Sequence, residues 1–171
     1  MPVPYRTGDP FRTFYDRALP AVYGYLRTRL ADPSRVEDVT QEVFMALVRQ
    51  WPLPANVRDE VAFAVGIARH KLVDEFRRQD QHQKRRQHYA ATSGAAAAHR
   101  TTAAVEVRIH WALAAVPASQ RAALVLRHVD GLPVREVADI LGKSVRATES
   151  LIARGTKTLR RAFKQVERSD V

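Results

Sequence analysis

Cysteine is absent from all 171 positions. Disulfides and thiolate metal sites are therefore excluded, and a reducing compartment is compatible with the chain. No apolar run approaches the ~20 residues of a membrane span. The N-terminus, MPVPYRTGDPFRTFYD, lacks the apolar core of a signal peptide. These absences lead us to expect a soluble cytoplasmic protein with no membrane insertion. Glycine-rich phosphate loops and nucleophile motifs are also missing. The histidines are otherwise scattered, and His70 and Asp74 lie four apart on one helix, a possible metal pair. Two ligands on one helix make neither a closed nor a catalytic metal site. We expect no metal, no cofactor, no catalytic residue and no enzyme activity. No internal repeat is visible.

What is present is helix-forming and basic. The hydrophobic share of 46% is ordinary for a globular protein, so a core can be buried. A net charge of +10 favours a polyanionic partner, nucleic acid first and an anionic membrane surface second. Residues 105–171 carry half of that excess, residues 80–104 are also basic, and residues 1–79 are mixed in charge.

Along the chain, Asp9-Pro10 supplies an N-cap acceptor and a proline at the first helical position. Phe11, Phe14, Tyr15, Leu19, Val22, Tyr23, Leu26 and Leu30 then form a broad apolar stripe, in which Pro20 is expected to kink the helix. Asp32-Pro33 repeats the start signal for a second helix to about Trp51, buried through Val36, Val39, Val43 and Leu47. Its opposite face carries Glu37, Asp38, Gln41, Glu42, Met45 and Arg49. A methionine ringed by acids and an amide suits a partner that is basic with an apolar centre, although a solvated face with one stray methionine reads as well. Two close prolines make 51–57 a loop. A third helix spans about Asp59–Gln79, with Val61, Val65, Ala68, Leu72 and Phe76 inward. Gly66 within it hints at a close helix contact. Arg69, His70, Lys71, Arg77 and Arg78 crowd its C-terminal half; the last two also suit a helix C-terminus by dipole alone. Residues 80–104 lack apolar periodicity and read as a flexible linker. Val105–Leu113, ended by Pro117, and Ala118–Val129, ended by Asp130-Gly131, are two more helices.

The stretch 131–164, GLPVREVADILGKSVRATESLIARGTKTLRRAFK, has the plan of a helix-turn-helix. Val137, Ile140 and Leu141 form an apolar face. Gly142 stands where a left-handed residue is needed, and Ser144 can cap the next helix. On that helix Thr148, Ile152, Leu159 and Phe163 are expected to pack inward. Arg146, Ser150, Arg154, Lys157, Arg161 and Lys164 share the outer face, a basic stripe suited to DNA.

Taken together, the chain resembles bacterial RNA polymerase sigma factors of the extracytoplasmic-function (group 4) class, in the sigma-70 family. The resemblance rests on FRTFYDRALPAVYGYLRTRL, VEDVTQEVFMALVRQW and AFAVGIARHKLVDEFRRQ in the N-terminal half. In the C-terminal half it rests on ALAAVPASQRAALVLRHVDGLPVREVADILGKSVRATESLIARGTKTLRRAF. It implies an all-α fold of two small helical domains: sigma2-like over 1–79 and sigma4-like, with the helix-turn-helix, over 105–171. A flexible linker over 80–104 would join them. It implies an alternative sigma factor that binds core RNA polymerase and directs promoter-specific transcription initiation, without enzyme activity. Asp38, Gln41, Glu42 and Met45 would then bind polymerase. Asn56 would meet a flipped base of the downstream promoter element, an amide being able both to donate and to accept. Arg69, His70, Arg77 and Arg78 would hold the strand beside it. Trp51 is expected to pack rather than stack on a base, and Asp74 to pair with a nearby arginine. In the upstream element, Arg146, Glu149 and Ser150 would face bases, and Arg154, Lys157 and Arg161 phosphates. The family's common T-V-K-S-R-L and R-A-R are replaced here by ATESLI and RGT, which leaves the bases read open, and Gly155 should weaken its helix. An anti-sigma factor is a further partner that the class implies. The competing reading is a helix-turn-helix regulator independent of core polymerase; it accounts for 131–164 but not for the exposed acidic face of the second helix or the basic third helix.

Overall fold

The structure, a computed structural model, describes residues 10–93 and 112–169. The Asp9 cap, residues 94–104 of the expected linker and residues 105–111 of the expected fourth helix lie outside the described residues. Every regular element among those described is helical. The chain divides into two compact units, Met1–Leu72 and Val73–Val171.

In the first unit, helix α1 (Pro10–Arg27) buries Phe14, Ala18, Val22 and Leu26. Their spacing of four lines them up on one side of the helix, and that side packs on α2 (Pro33–Arg49). Pro20 sits exposed within α1, which continues past it to Arg27. The Asp32 carboxylate accepts from the Ser34 amide at 2.9 Å, with Pro33 opening α2 as expected. Val36, Val39, Val43, Phe44 and Leu47 are buried along α2, and the Thr40 hydroxyl donates to the Val36 carbonyl at 2.7 Å. Burying a side chain of this size contributes roughly 1.5–3 kcal/mol, so these two stripes are the main source of this unit's stability.

Trp51 follows α2 and joins to Pro52 through a cis peptide bond. Its ring lies edge-on to Phe11 and stacked on Phe14, each with centroids 5.2 Å apart. It is thus a packing residue, as expected. Helix α3 (Glu60–Ser93) starts where the Asp59 carboxylate accepts from the Ala62 amide at 2.9 Å. Ala64, Ala68, Leu72, Val73 and Phe76 are its buried apolar residues. Val61 and Val65 are only half-buried, so the buried stripe is rotated from the one expected. The helix runs to Ser93 rather than ending near Gln79. The intervening Gln, Lys, Arg and Ala residues are good helix formers, and the next glycine is Gly94. Gly66 marks no close contact: a β-carbon built there meets nothing within 4 Å.

In the second unit, α4 (Ala118–Leu124) passes into one π-helical turn, Val125–Val129, closed by the Asp130 amide donating to the Val125 carbonyl at 3.0 Å. Gly131, at φ +70°, ends it. Helix α5 (Val134–Leu141) buries Val137, Ala138 and Leu141, while Ile140 is half-buried. Helix α6 (Val145–Ser169) packs on both α4 and α5. Its most buried positions are Thr148, Leu151, Gly155 and Ala162; Ile152, Leu159 and Phe163 lie half-buried beside them. Gly155 has a packing reason that propensity alone hides. A β-carbon there would stand 3.1 Å from Leu124 Cγ and Cδ1 and 3.2 Å from Gln120 Cβ. Glycine lets α6 approach α4 this closely.

The two helical glycines should therefore answer substitution with opposite signs. Gly66→Ala should stabilise the protein by about 1 kcal/mol through lost unfolded-state freedom. Gly155→Val should destabilise it by about 1–3 kcal/mol through overpacking. Urea unfolding of both variants checks the pair.

Candidate functional site

Three exposed surfaces carry the residues expected to function. The first is the outer side of α2. Because Val36, Val39, Val43 and Leu47 turn inward, helical geometry turns Asp38, Gln41 and Met45 outward. All three are exposed, and Met45 is 55% accessible. With Glu42 they line one open groove of about 500 Å³, completed by Arg35, Arg49 and Lys71. Arg35 donates to Asp38 at 2.9 Å, and Lys71 stands 3.5 Å from Glu42. Pairs this exposed contribute only about 0–1 kcal/mol, so they can exchange for a partner's charges. Gln41 and Met45 also border an adjoining groove of about 520 Å³ between α1 and α2, with Tyr15, Phe44 and Val48 in its wall. Val48 is 51% exposed. Sequence reading missed Arg35 and Val48, although each lies three positions from a named residue on the same helix. Lys71 arrives from α3, a juxtaposition no local pattern shows.

The second surface is the loop 51–59 and α3. Asn56 is exposed in the loop. Arg69 and Arg78 are half-buried and His70 and Arg77 exposed along α3. His70 and Arg77 are seven apart and so share a helix face. Asp74 pairs with Arg77 at 3.2 Å, as expected for an internal partner. Among the described residues no group of three or more His, Cys, Asp or Glu could hold a metal ion.

The third surface is α6. Gly142, at φ +63°, ends α5 in the left-handed conformation, and the Lys143 amide returns to the Ala138 carbonyl at 2.9 Å. The Ser144 hydroxyl accepts from the Ala147 amide at 3.2 Å. Cap and turn thus set the phase of α6. With Thr148, Leu151, Gly155 and Ala162 inward, Arg146, Glu149, Ser150, Arg154, Lys157 and Arg161 are all exposed on the opposite side. Thr158 ties α6 to α4 by donating to Gln120 Oε1 at 3.1 Å.

One polar cluster was not foreseen. Glu75 is 0% exposed and Arg121 6%, both inside the second unit. Arg121 Nη2 lies 3.5 Å from Asp80, and the guanidinium carbon lies 4.5 Å from the Phe76 ring centroid. Gln79 donates to Glu75 at 2.9 Å, and Arg78 Nε stands 3.7 Å from it. Burial pushes the Arg121 guanidinium below its ordinary pKa, while attraction to Asp80 and Glu75 opposes that shift. Arginine nevertheless stays charged in proteins. Charged residue types read as surface in a sequence, which is why this cluster stayed hidden.

Two family models match the chain. Sigma-70 region 2 matches residues 14–82, and Sigma-70 region 4 matches residues 101–159. The ECF RNA polymerase sigma factor SigD of Mycobacterium tuberculosis is 30% identical over 151 residues, covering 81% of this chain and 70% of SigD. The chain belongs to the extracytoplasmic-function (ECF) family of RNA polymerase sigma factors. The ECF sigma factor SigX of Bacillus subtilis is similar over a longer stretch, 26% identical across 161 residues, covering 90% of this chain and 83% of SigX. The fold matches that of the sigma factor RpoE of Bartonella quintana, solved with the anti-sigma factor NepR. The TM-score is 0.58 at 21% identity, over 90% of this chain and 96% of that one. The all-α, two-domain fold and the role of alternative sigma factor directing transcription initiation follow from membership. The family's members are initiation factors that are not enzymes. Among the described residues no helix is long and apolar enough to cross a membrane.

The cap that orients α6 can be tested alone. Ser144→Ala should cost about 1 kcal/mol of stability, read by thermal unfolding, whereas Ser144→Gly should cost only a few tenths.

Proposed function

We propose that this ECF sigma factor works through three separate contacts and acts by binding alone. Its sigma2-like part, residues 1–79, holds core polymerase through Asp38, Gln41, Glu42 and Met45. The same part holds the downstream promoter element through Asn56, Arg69, His70, Arg77 and Arg78. Its sigma4-like part, residues 105–171, holds the upstream element through Arg146, Glu149, Ser150, Arg154, Lys157 and Arg161. Residues 80–104 link the two. The observation that carries the polymerase contact is Met45, more than half exposed in a groove edged by carboxylates. An apolar centre with an exchangeable acidic rim complements a basic partner surface with an apolar ridge.

On the DNA side the division of labour follows from chemistry. Arg146, Glu149 and Ser150 stand near the start of α6, the end that meets base edges in helix-turn-helix complexes. Arg154, Lys157 and Arg161 continue the stripe toward phosphates. Asn56, exposed on a loop, can present an amide to an unstacked base. An anti-sigma factor belongs among the partners, as NepR does for RpoE of Bartonella quintana. The site of action is the cytoplasm, where polymerase and promoters are. A regulator independent of polymerase is not favoured, because it leaves the region 2 match over 14–82 without a purpose.

Run-off transcription with purified core polymerase tests the whole reading: the chain should start transcripts from a cognate promoter, and DNA binding without polymerase association would refute it. Within that assay, replacing Asp38 and Gln41 together by Ala should weaken polymerase association about tenfold or more and leave binding to isolated promoter duplex unchanged. Lys157→Ala should weaken duplex binding across sequences and lower the salt slope by about one, measured by titration at several salt concentrations.

A further inference from the structure

Helix α6 turns a polar face outward, and one apolar side chain sits in the middle of it. Thr148, Leu151, Gly155 and Ala162 are buried and fix the inward direction. Helical geometry then sends Arg146, Ser150, Ala153 and Lys157 the opposite way. All four are exposed, as is Glu149 beside them. Ala153 is the member of this face that counting by charge passes over. Arg146, Glu149, Ser150 and Ala153 stand at i, i+3, i+4 and i+7. From that spacing a homeodomain's third helix reads the major groove. The first three side chains can bond a base edge, and the fourth offers only a methyl group. Polar neighbours of Ala153 are held to the backbone of α6 itself. The Thr156 hydroxyl donates to the Ile152 carbonyl at 2.9 Å, and Arg154 Nε donates to the Ser150 carbonyl at 3.3 Å. The geometry points to Ala153 as a fourth base-reading position, one that selects thymine in the upstream element by contact with its 5-methyl group.

Of the groups that base pairs present in the major groove, the thymine methyl alone is apolar. Methyl against methyl removes water from both. A long side chain at Ala153 would hold the helix away from the groove floor. A cation there would attract phosphate and favour every sequence alike. Glu149, one turn earlier, adds a second restriction, because a carboxylate accepts from the cytosine amino group and repels phosphate. The two positions are about 6 Å apart along the helix axis, against about 3.4 Å per base pair. The thymine therefore lies one or two steps from the base pair that faces Glu149. This assignment rests on the reading of α6 as the major-groove helix.

Holoenzyme made from the full chain and core polymerase provides the test. Selection from duplexes randomised in the upstream element should return a thymine, on either strand, at one fixed position. Replacing that thymine by deoxyuridine removes the methyl group and nothing else, and should weaken binding about fourfold. Ala153→Gly should bind the thymine and deoxyuridine duplexes equally. Glycine also loosens the helix, so Ala153→Gln is the second variant. Its amide should move the preferred base at that one position to adenine and leave the other positions unchanged. Helix propensity alone accounts for an exposed alanine, but it does not tie binding to a methyl group on the DNA. The assignment is overturned by unaltered holoenzyme that is indifferent to deoxyuridine at every selected thymine. It is equally overturned by methyl dependence that persists in Ala153→Gly, or by an unchanged preference in Ala153→Gln. Lys157→Ala separates the two levels. A lower salt slope without methyl dependence refutes Ala153 alone, whereas an unchanged slope with no selected upstream bases refutes the reading of α6 as well.

Discussion

One-sided burial of amphipathic helices is the constraint on which everything else depends. Each helix offers an apolar stripe to its neighbours, and helical geometry then fixes what faces outward. On α2 the inward turn of Val39, Val43 and Leu47 leaves Met45 exposed. On α6 the inward turn of Thr148, Leu151 and Ala162 leaves Arg154, Lys157 and Arg161 exposed. The candidate interfaces are thus the complement of the core. A residue that disturbs the phase of a stripe would disturb function without touching a partner. Gly155 is the clearest instance, since its missing side chain sets how closely α6 lies on Leu124 and Gln120.

Local signals were legible to the residue. The Asp32 cap, the left-handed Gly142 and the Ser144 hydroxyl all do what their chemistry announces. Each acts within a few positions along the chain, so its partner is visible beside it. What stayed hidden depends on neighbours far along the chain. Gly66 and Gly155 look alike as helical glycines, yet one faces open space and the other a leucine thirty-one positions earlier. The length of α3 was misjudged because apolar periodicity stops near Gln79 while helix propensity does not. Burial of Glu75 and Arg121 runs against what charged residues ordinarily do; only the meeting of two distant segments makes it tolerable.

The candidate surfaces show the same division. Asp38, Gln41, Glu42 and Met45 follow from counting positions on one helix, and they do line one groove. Lys71 completes that groove from a second helix and could not have been counted. Family resemblance supplied roles for these residues; side-chain geometry shows which of them are gathered, exposed and paired.

The loop between α2 and α3 is fastened at both ends. Trp51 is held between Phe11 and Phe14, and Asp59 is tied to the first turn of α3. A segment with anchored ends has little conformational freedom left to lose when it closes on a ligand, so ordering it costs little at the moment of capture. In the proposed contact with an unstacked base, Asn56 near the middle of that span would act as a preset hook rather than as a free line, with a small entropic toll on capture.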